Sequence, residues 1–394
     1  MDEWYEQLLN RAYSGKKDGT PMCRGAKKAD DRTCFDVAME ALRERRVLLY
    51  GAGSFGKEML QCLSREGVMV EAFLDRNAVE IGPVFGVPVY RHDDPRLDRS
   101  LKRDSLVLLS LVVNRPEREE IARLLIKAGF DDIADGQSLR CLLVYADDFG
   151  KRDIDRGYLI DHRVKIVDAA QLFADDVSAR VYKQNLEAHV SRNYAGCTER
   201  PLAEQYFPAD IALSRGFIRF VDCGGYVGDT LEALVASQGG AETAVSFEPD
   251  KGNFARLSAK VADLGERIGQ AFLYPCAVSE NTGTASFACN GGSGMLDDEG
   301  GETVLSVALD DVLKGFSPSF IKMDIEGEEF SALRGARATI CRARPDLAIC
   351  VYHRINHLWD IPLLLARWGV GYRFYLRSYN ACTMETVLYA TCED

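Results

Sequence analysis

The chain has 394 residues, a hydrophobic fraction of 47% and a net charge of −12. That apolar content excludes a mainly disordered chain, and the longest apolar run, Leu106 to Val113, is too short to span a bilayer. The negative field disfavours nucleic-acid backbones and anionic membranes as partners, so neither is expected.

Residues 1–45 are expected to form a helical segment, interrupted by a polar stretch from Ser14 to Asp31 that reads as a solvated loop. The start, Met1-Asp2-Glu3-Trp4, lacks the basic and apolar regions of a signal peptide. The twelve cysteines include no C-x-x-C pair and read as small buried hydrophobes of a reducing compartment. A cytoplasmic location is therefore expected, and no metal-ligand spacing is found that would predict a metal.

Residues 46–145 alternate strand and helix. Val47 to Tyr50 is a strand, followed by Gly51-Ala52-Gly53-Ser54-Phe55-Gly56 and an amphipathic run to Leu63. Val68 to Leu74 is a second strand ending at Asp75; Gly86 to Val89 reads as an edge strand, Leu106 to Val113 as a buried one, and Glu117 to Ala128 as a helix. Gly51, Gly53, Gly56 and Asp75 stand where a dinucleotide fingerprint puts its phosphate loop and ribose acid. A unit of about 100 residues is only half of a full dinucleotide fold, so a nucleotide or nucleotide-sugar is weighed against NAD(P) and against no ligand. Residues 146–215 are polar and read as a helical connector.

From 216 the α/β rhythm restarts. Strands are predicted at Phe217–Asp222, Ala244–Phe247, Phe272–Val278, Phe320–Asp324 and Leu347–Tyr352. Tyr372 to Leu376 and Glu385 to Ala390 read as an antiparallel pair around a turn at Ser378-Tyr379-Asn380. The first of these strands ends in Asp222-Cys223-Gly224-Gly225-Tyr226-Val227-Gly228-Asp229-Thr230, a glycine turn opening a helix. Glycines permit a tight turn and close ligand approach, and the helix start supplies N–H donors. Glu248 follows at the tip of the next strand, where an acid can accept both ribose hydroxyls of a nucleoside. Asp324 and Glu326 end a neighbouring strand and can orient a substrate, act as a base or hold a divalent cation. His353, after Tyr352 at a third strand end, is a candidate base because its ordinary pKa lies near neutrality. His357 and Trp359 are weighed as pocket residues.

The ordered set Val221-Asp222-Cys223-Gly224-Gly225-Tyr226-Val227-Gly228-Asp229-Thr230, Phe247-Glu248-Pro249-Asp250, Ala277-Val278-Ser279, Val307 to Asp311 and Ile321 to Gly327 resembles the FkbM family of S-adenosylmethionine-dependent methyltransferases. The resemblance covers about 200–394. It implies a class I methyltransferase fold, a seven-stranded, mostly parallel sheet with an antiparallel last strand, in a domain spanning 216–394. Before it stands a smaller Rossmann-like parallel α/β domain, which resembles the N-terminal domain of nucleotide-sugar acetyltransferases. Carried over, Asp222, Gly224, Gly225, Gly228, Asp229 and Thr230 form the S-adenosylmethionine loop, Glu248 holds the ribose, and Ala277 and Val278 flank the adenine. Asp324 sits beside the methyl donor. The implied activity is O-methylation of a sugar, a glycan precursor or a related small molecule.

On this reading His353 or, second, Asp324 removes the hydroxyl proton, and Arg354 or Lys322 binds an anionic part of the acceptor. The acceptor is a small molecule or a nucleotide-linked sugar, and a homo-oligomer is left open. The competing reading is a nucleotide- or nucleotide-sugar-sensing protein with a vestigial methyltransferase fold. An NAD-dependent oxidoreductase is a third, lacking an evident catalytic partner near the Gly51 loop.

Overall fold

A computed structural model describes residues 4–9, 34–111, 113, 115–136, 139, 156–191, 197–290, 293–296, 302–380 and 383–392. The predicted loop from Ser14 to Asp31 lies outside them. The chain divides into two compact units, Met1–Arg163 with Lys183–Glu199 and Asn380–Thr383, and Val164–Tyr182 with Arg200–Tyr379 and Met384–Asp394. The division runs through the two connector helices, Arg156–Ala170 and Asp176–Ser191.

The N-terminal unit holds strands β1 (Arg46–Tyr50), β2 (Val70–Leu74), β3 (Val89–Tyr90), β4 (Ser105–Leu109) and β5 (Asp132–Asp135). They form one sheet in the order β3-β2-β1-β4-β5, every pairing parallel. Val47 and Leu49 of β1 enter one apolar cluster, with Phe55, Met59 and Leu63 of the helix Ser54–Arg65. Leu48 and Tyr50 enter another, with Leu125 and Phe130. This two-residue alternation into two cores explains why the strand reads as a continuous apolar run: a parallel sheet is covered on both faces.

The C-terminal unit is built on β6 (Arg219–Cys223), β7 (Ala241–Phe247), β8 (Ile268–Tyr274), β13 (Phe320–Met323), β14 (Asp346–Cys350), β15 (Tyr372–Ser378) and β16 (Thr386–Cys392), between which β9 to β12 are inserted. Their order is β15-β16-β14-β13-β6-β7-β8. β6, β7, β8, β13 and β14 are mutually parallel, while the last strand, β16, runs antiparallel to both of its neighbours. The α/β class, the seven strands and the antiparallel last strand are as the resemblance implies.

Two expectations are corrected. The strand expected over Phe272–Val278 is two: β8 stops at Tyr274, and β9 (Ala277–Val278) joins a second sheet. Pro275 lies at the break and has no N–H to continue the ladder. The second sheet, β11-β10-β12-β9, comprises β10 (Gly283–Asn290), β11 (Ser293–Leu296), β12 (Glu302–Val307) and β9. The turn expected at Ser378-Tyr379-Asn380 is shifted: Ser378 still belongs to β15, and β16 begins at Thr386, with the Tyr379 N–H donating to the Glu385 carbonyl at 3.2 Å. Among the described residues no helix is long and apolar enough to cross a membrane. Cys197, Cys223, Cys276, Cys350 and Cys392 are buried thiols.

Candidate active site

β6 is flanked by β13 on one side and β7 on the other, so the connections leaving it diverge. A crevice opens at such a switch point, beyond the carboxyl ends of the strands. Cys223 pairs with Met323, which sets the next residues, Gly224 and Asp324, side by side. Gly224 turns at φ 87°, and a Cβ there would collide with the Asp324 carbonyl oxygen. Both the dihedral and the close approach demand glycine. Gly225 and Gly228 do a different job. A Cβ would lie 2.9 Å from Leu257 at Gly225 and 2.8 Å from the Lys260 stem at Gly228. They seat the helix Lys251–Leu264 against the loop and do not line the crevice.

Glu248, at the end of β7, accepts from the Tyr226 N–H at 2.8 Å through Oε2 and from the Asp250 N–H at 2.9 Å through Oε1. Burial pushes its carboxyl up to about 7, against those two bonds. The crevice encloses about 340 Å³, lined by Gly224, Asp229, Thr230, Glu248, Ala277 and Val278 of the expected cofactor set. Asp324, Glu326, Tyr352 and Lys322 line it too. The volume lies within the range of small-molecule sites, roughly 300–1,000 Å³. A wider depression of about 600 Å³, bordered by Leu97, Lys102 and Asp131, shares no residue with either glycine loop.

Asp222 and Lys322 lie beneath the loop. Lys322 Nζ is 3.0 Å from Asp222 Oδ1 and donates to the Gly224 carbonyl at 2.6 Å. Burial opposes the ammonium charge, but Asp222 and Asp324 hold it protonated. Burial also raises Asp222, to about 6, which leaves it ionised at neutral pH. The expectation that Lys322 binds an anionic acceptor is therefore corrected, since its charge is balanced inside the loop. Arg354 does not line the crevice: its Nε donates to the Gly327 carbonyl at 3.1 Å, bracing a turn at φ 101°.

Asp324 is the hub of one wall of the crevice. Its Oδ2 accepts from Tyr206 Oη at 2.7 Å and its Oδ1 from Tyr352 Oη at 3.3 Å. Glu385, lining the same crevice, accepts from Gln205 Nε2 at 2.7 Å. Burial, then the charge of Asp324, raises Glu385 to about 7. Tyr206 and Glu385 were not foreseen. Tyr206 falls in the stretch read as connector, and Glu385 at the start of a predicted strand, one residue before β16 begins. One backbone signal unites the new and the expected residues. Tyr206 (φ 68°), Tyr226 (φ 44°), Glu326 (φ 56°) and Glu385 (φ 54°) adopt left-handed conformations without being glycine, and all four line the crevice. Such strain concentrates at functional sites.

His353, the first candidate for a base, is set back from the crevice. Its side chain is 8% exposed, with Nδ1 2.8 Å from Glu329 Oε1, and it does not line the crevice. Burial alone favours the neutral ring, but Glu329, then Glu326 and Asp324, lift its pKa to about 10. A ring protonated at neutral pH has no lone pair with which to take a proton, which corrects the first choice of base. Glu329 is completely buried and kept ionised, against burial, by His353 and His357. His357 Nδ1 is 3.3 Å from Glu329 Oε2, and Trp359 is completely buried; neither lines the crevice.

Gly51, Gly53, Gly56 and Asp75 belong to the N-terminal unit. Gly51 turns at φ 107°, and a Cβ on Gly56 would strike the Gly51 carbonyl. Asp75 accepts from the Ala52 N–H at 2.9 Å and the Asn77 N–H at 2.8 Å.

Residues 222–374 match the family model of the methyltransferase FkbM domain. The match begins at Asp222 and takes in the glycine loop, Glu248, Asp324 and His353. A crystal structure of methyltransferase FkbM from Methylobacillus flagellatus KT shares 23% identity over 98% of this chain and 99% of its own, with a TM-score of 0.66. The two share their fold. An rRNA methylase from Streptococcus thermophilus shares 15% identity over 49% of this chain and 92% of its own, with a TM-score of 0.29. No protein of curated function matches.

Proposed function

We propose that the C-terminal unit transfers a methyl group from S-adenosylmethionine to a hydroxyl of a sugar, a glycan precursor or a related small molecule. The observation that carries this reading is the convergence of Gly224, Glu248 and Asp324 on one crevice at the β6 switch point. The residues fit the cofactor. Gly224 brings the loop backbone to the crevice wall, Glu248 stands at the ribose position, and Ala277 and Val278 offer an apolar wall for a base. When bound, the cofactor supplies a methyl group already activated on a sulfonium.

The chain's own part is alignment and proton removal. Among the carboxyl groups lining the crevice, Asp324 and Glu385 are hydrogen-bonded in place by side chains, so one of them takes the hydroxyl proton in place of His353. Tyr206 and Tyr352 hold Asp324 in position through its two oxygens.

For the N-terminal loop we propose a nucleotide or nucleotide-sugar ligand. A Cβ at Gly53 would meet nothing within 4 Å, so the approach to the helix Ser54–Arg65 is open and no packing requires a glycine there.

Calorimetric titration of S-adenosylmethionine into wild type and Glu248→Ala tests the main reading. Binding by wild type and its loss in the variant are expected. The label of [methyl-³H]S-adenosylmethionine then moves to a polyol acceptor. Binding without transfer to any acceptor favours the sensing alternative, and no binding overturns the main reading.

A further inference from the structure

One wall of the crevice gathers several carboxyl groups. Asp324, Glu326 and Glu385 line it, and Glu329 lies beneath. The ammonium of Lys322 is already balanced by Asp222. The histidine among these acids has an unusual geometry. One ring nitrogen, Nδ1, is 2.8 Å from Glu329 Oε1, and Glu329 is itself fixed by the Ile325 N–H at 2.9 Å. Like Nδ1, the other, Nε2, meets no hydrogen-bond geometry, although the side chain is more than nine-tenths buried. It points between Asp324 Oδ1 at 3.4 Å and Glu326 Oε2 at 3.5 Å.

Those separations are long for N–H···O bonds, which cluster near 2.9 Å. They suit atoms that share a cation. Two ligands, each about 2.1 Å from one metal at a tetrahedral angle, stand roughly 3.4 Å apart. A buried carboxylate behind the far ring nitrogen is the arrangement that orients metal-binding histidines.

We propose that His353 Nε2 and Asp324 Oδ1, with Glu326 as the adjustable third ligand, bind a divalent cation of the Mn²⁺ or Zn²⁺ kind. Glu329 is the positioning residue behind His353. One imidazole nitrogen with carboxylate oxygens suits these ions, and no thiolate takes part. Glu326 is the ligand able to adjust, since its side chain is 39% exposed. Without the ion, the proton on His353 occupies the same place between the same acids.

The role of the ion rests on the methyl-transfer reading. There it would hold the acceptor oxygen: the O–H bond breaks and its proton passes to the Glu385 carboxylate, the oxygen's electron pair forms the bond to the methyl carbon, and the C–S bond breaks with its pair returning to sulfur.

The test is calorimetric titration of manganese(II) chloride, then zinc chloride, into the full chain stripped with chelator. A single saturable site is expected in wild type. Binding at least about tenfold weaker is expected in His353→Gln and Asp324→Asn, and roughly 10–100-fold weaker in Glu329→Gln, as when an outer partner of a ligating histidine is removed. If burial makes the Glu329 or His353 variants misfold, Glu326→Gln carries the comparison, because its side chain is partly exposed. No saturable site in wild type, or a site unchanged in Asp324→Asn and Glu326→Gln, overturns the proposal. Titration of S-adenosylmethionine in chelator separates the two claims. Cofactor binding without metal binding sinks the cation site alone, and metal binding without cofactor binding sinks the methyl-transfer reading alone.

Discussion

The two units carry the same device in two chemistries. In each, a central strand flanked by parallel neighbours ends in a glycine turn, and the acid ending the next strand braces that turn. Asp75 takes the Ala52 and Asn77 N–H groups as Glu248 takes those of Tyr226 and Asp250. The third position separates them. The residue paired beside Gly224 is Asp324, open to a crevice; the residue beside Gly51 is Ser110, 1% exposed, whose hydroxyl donates to the Tyr50 and Gly51 carbonyls at 3.0 Å. A glycine loop with its acid is thus a generic nucleotide-shaped terminus. What grows on the adjacent strand end gives it a reaction.

The strongest way to break the comparison is to fill a turn. Gly224→Ala and Gly56→Ala each drive a Cβ into a backbone carbonyl, and each should lower stability by about 3 kcal/mol, read as a shift in urea midpoint. Gly224→Ala should in addition abolish S-adenosylmethionine binding. A Gly224→Ala protein of unchanged midpoint and affinity would end the equivalence of the loops.

Exchanging the acids comes next. Glu248→Gln should weaken S-adenosylmethionine roughly 10–100-fold, the worth of charge-assisted hydrogen bonds to a carboxylate, while Asp75→Asn leaves that affinity alone. Equal losses in both would mean that the acids only brace their turns.

Acidity sharpens the same contrast. Burial raises Glu248 to about 7, so its carboxylate is present above that pH and lost below it. The ribose hydroxyls need an ionised acceptor, so affinity for S-adenosylmethionine should fall by up to about tenfold per unit as pH drops below 7. Glu248→Gln should flatten that profile in calorimetry at pH 6 and pH 8.

The smallest effect is expected at Gly53, where a Cβ meets nothing. Gly53→Ala should change stability by less than about 0.5 kcal/mol. Any loss of nucleotide binding in that variant, in a thermal-shift assay with nucleotide-sugars, would then report a ligand contact.

Much of this was legible in the chain because strand ends announce themselves. Apolar runs stopping at Asp222, Glu248 and Asp324 placed three acids at one sheet edge, and parallel topology did the rest. What sequence missed came from elsewhere. Tyr206 precedes the first strand of its sheet, in a polar stretch with no periodicity. Glu385 immediately precedes the last strand, and its carboxyl meets Gln205, a residue far away in sequence. The small sheet of β9 to β12 had a signal that was passed over, the turn-forming Asn290-Gly291-Gly292-Ser293 between alternating residues. His353 was placed at the correct strand end, but its charge state depends on Glu329. That residue stands at the start of a helix, where an acid is ordinarily solvated, yet it folds completely inward.

The four left-handed residues around the crevice have an evolutionary consequence. Each is held in a backbone conformation costing about 1–3 kcal/mol for a side chain other than glycine. Glycine at Tyr206, Tyr226, Glu326 or Glu385 would relieve that cost and remove the chemistry. The crevice is therefore where selection for robustness and selection for activity pull in opposite directions, and a drift of these positions toward glycine would mark descendants that kept the fold after giving up the reaction.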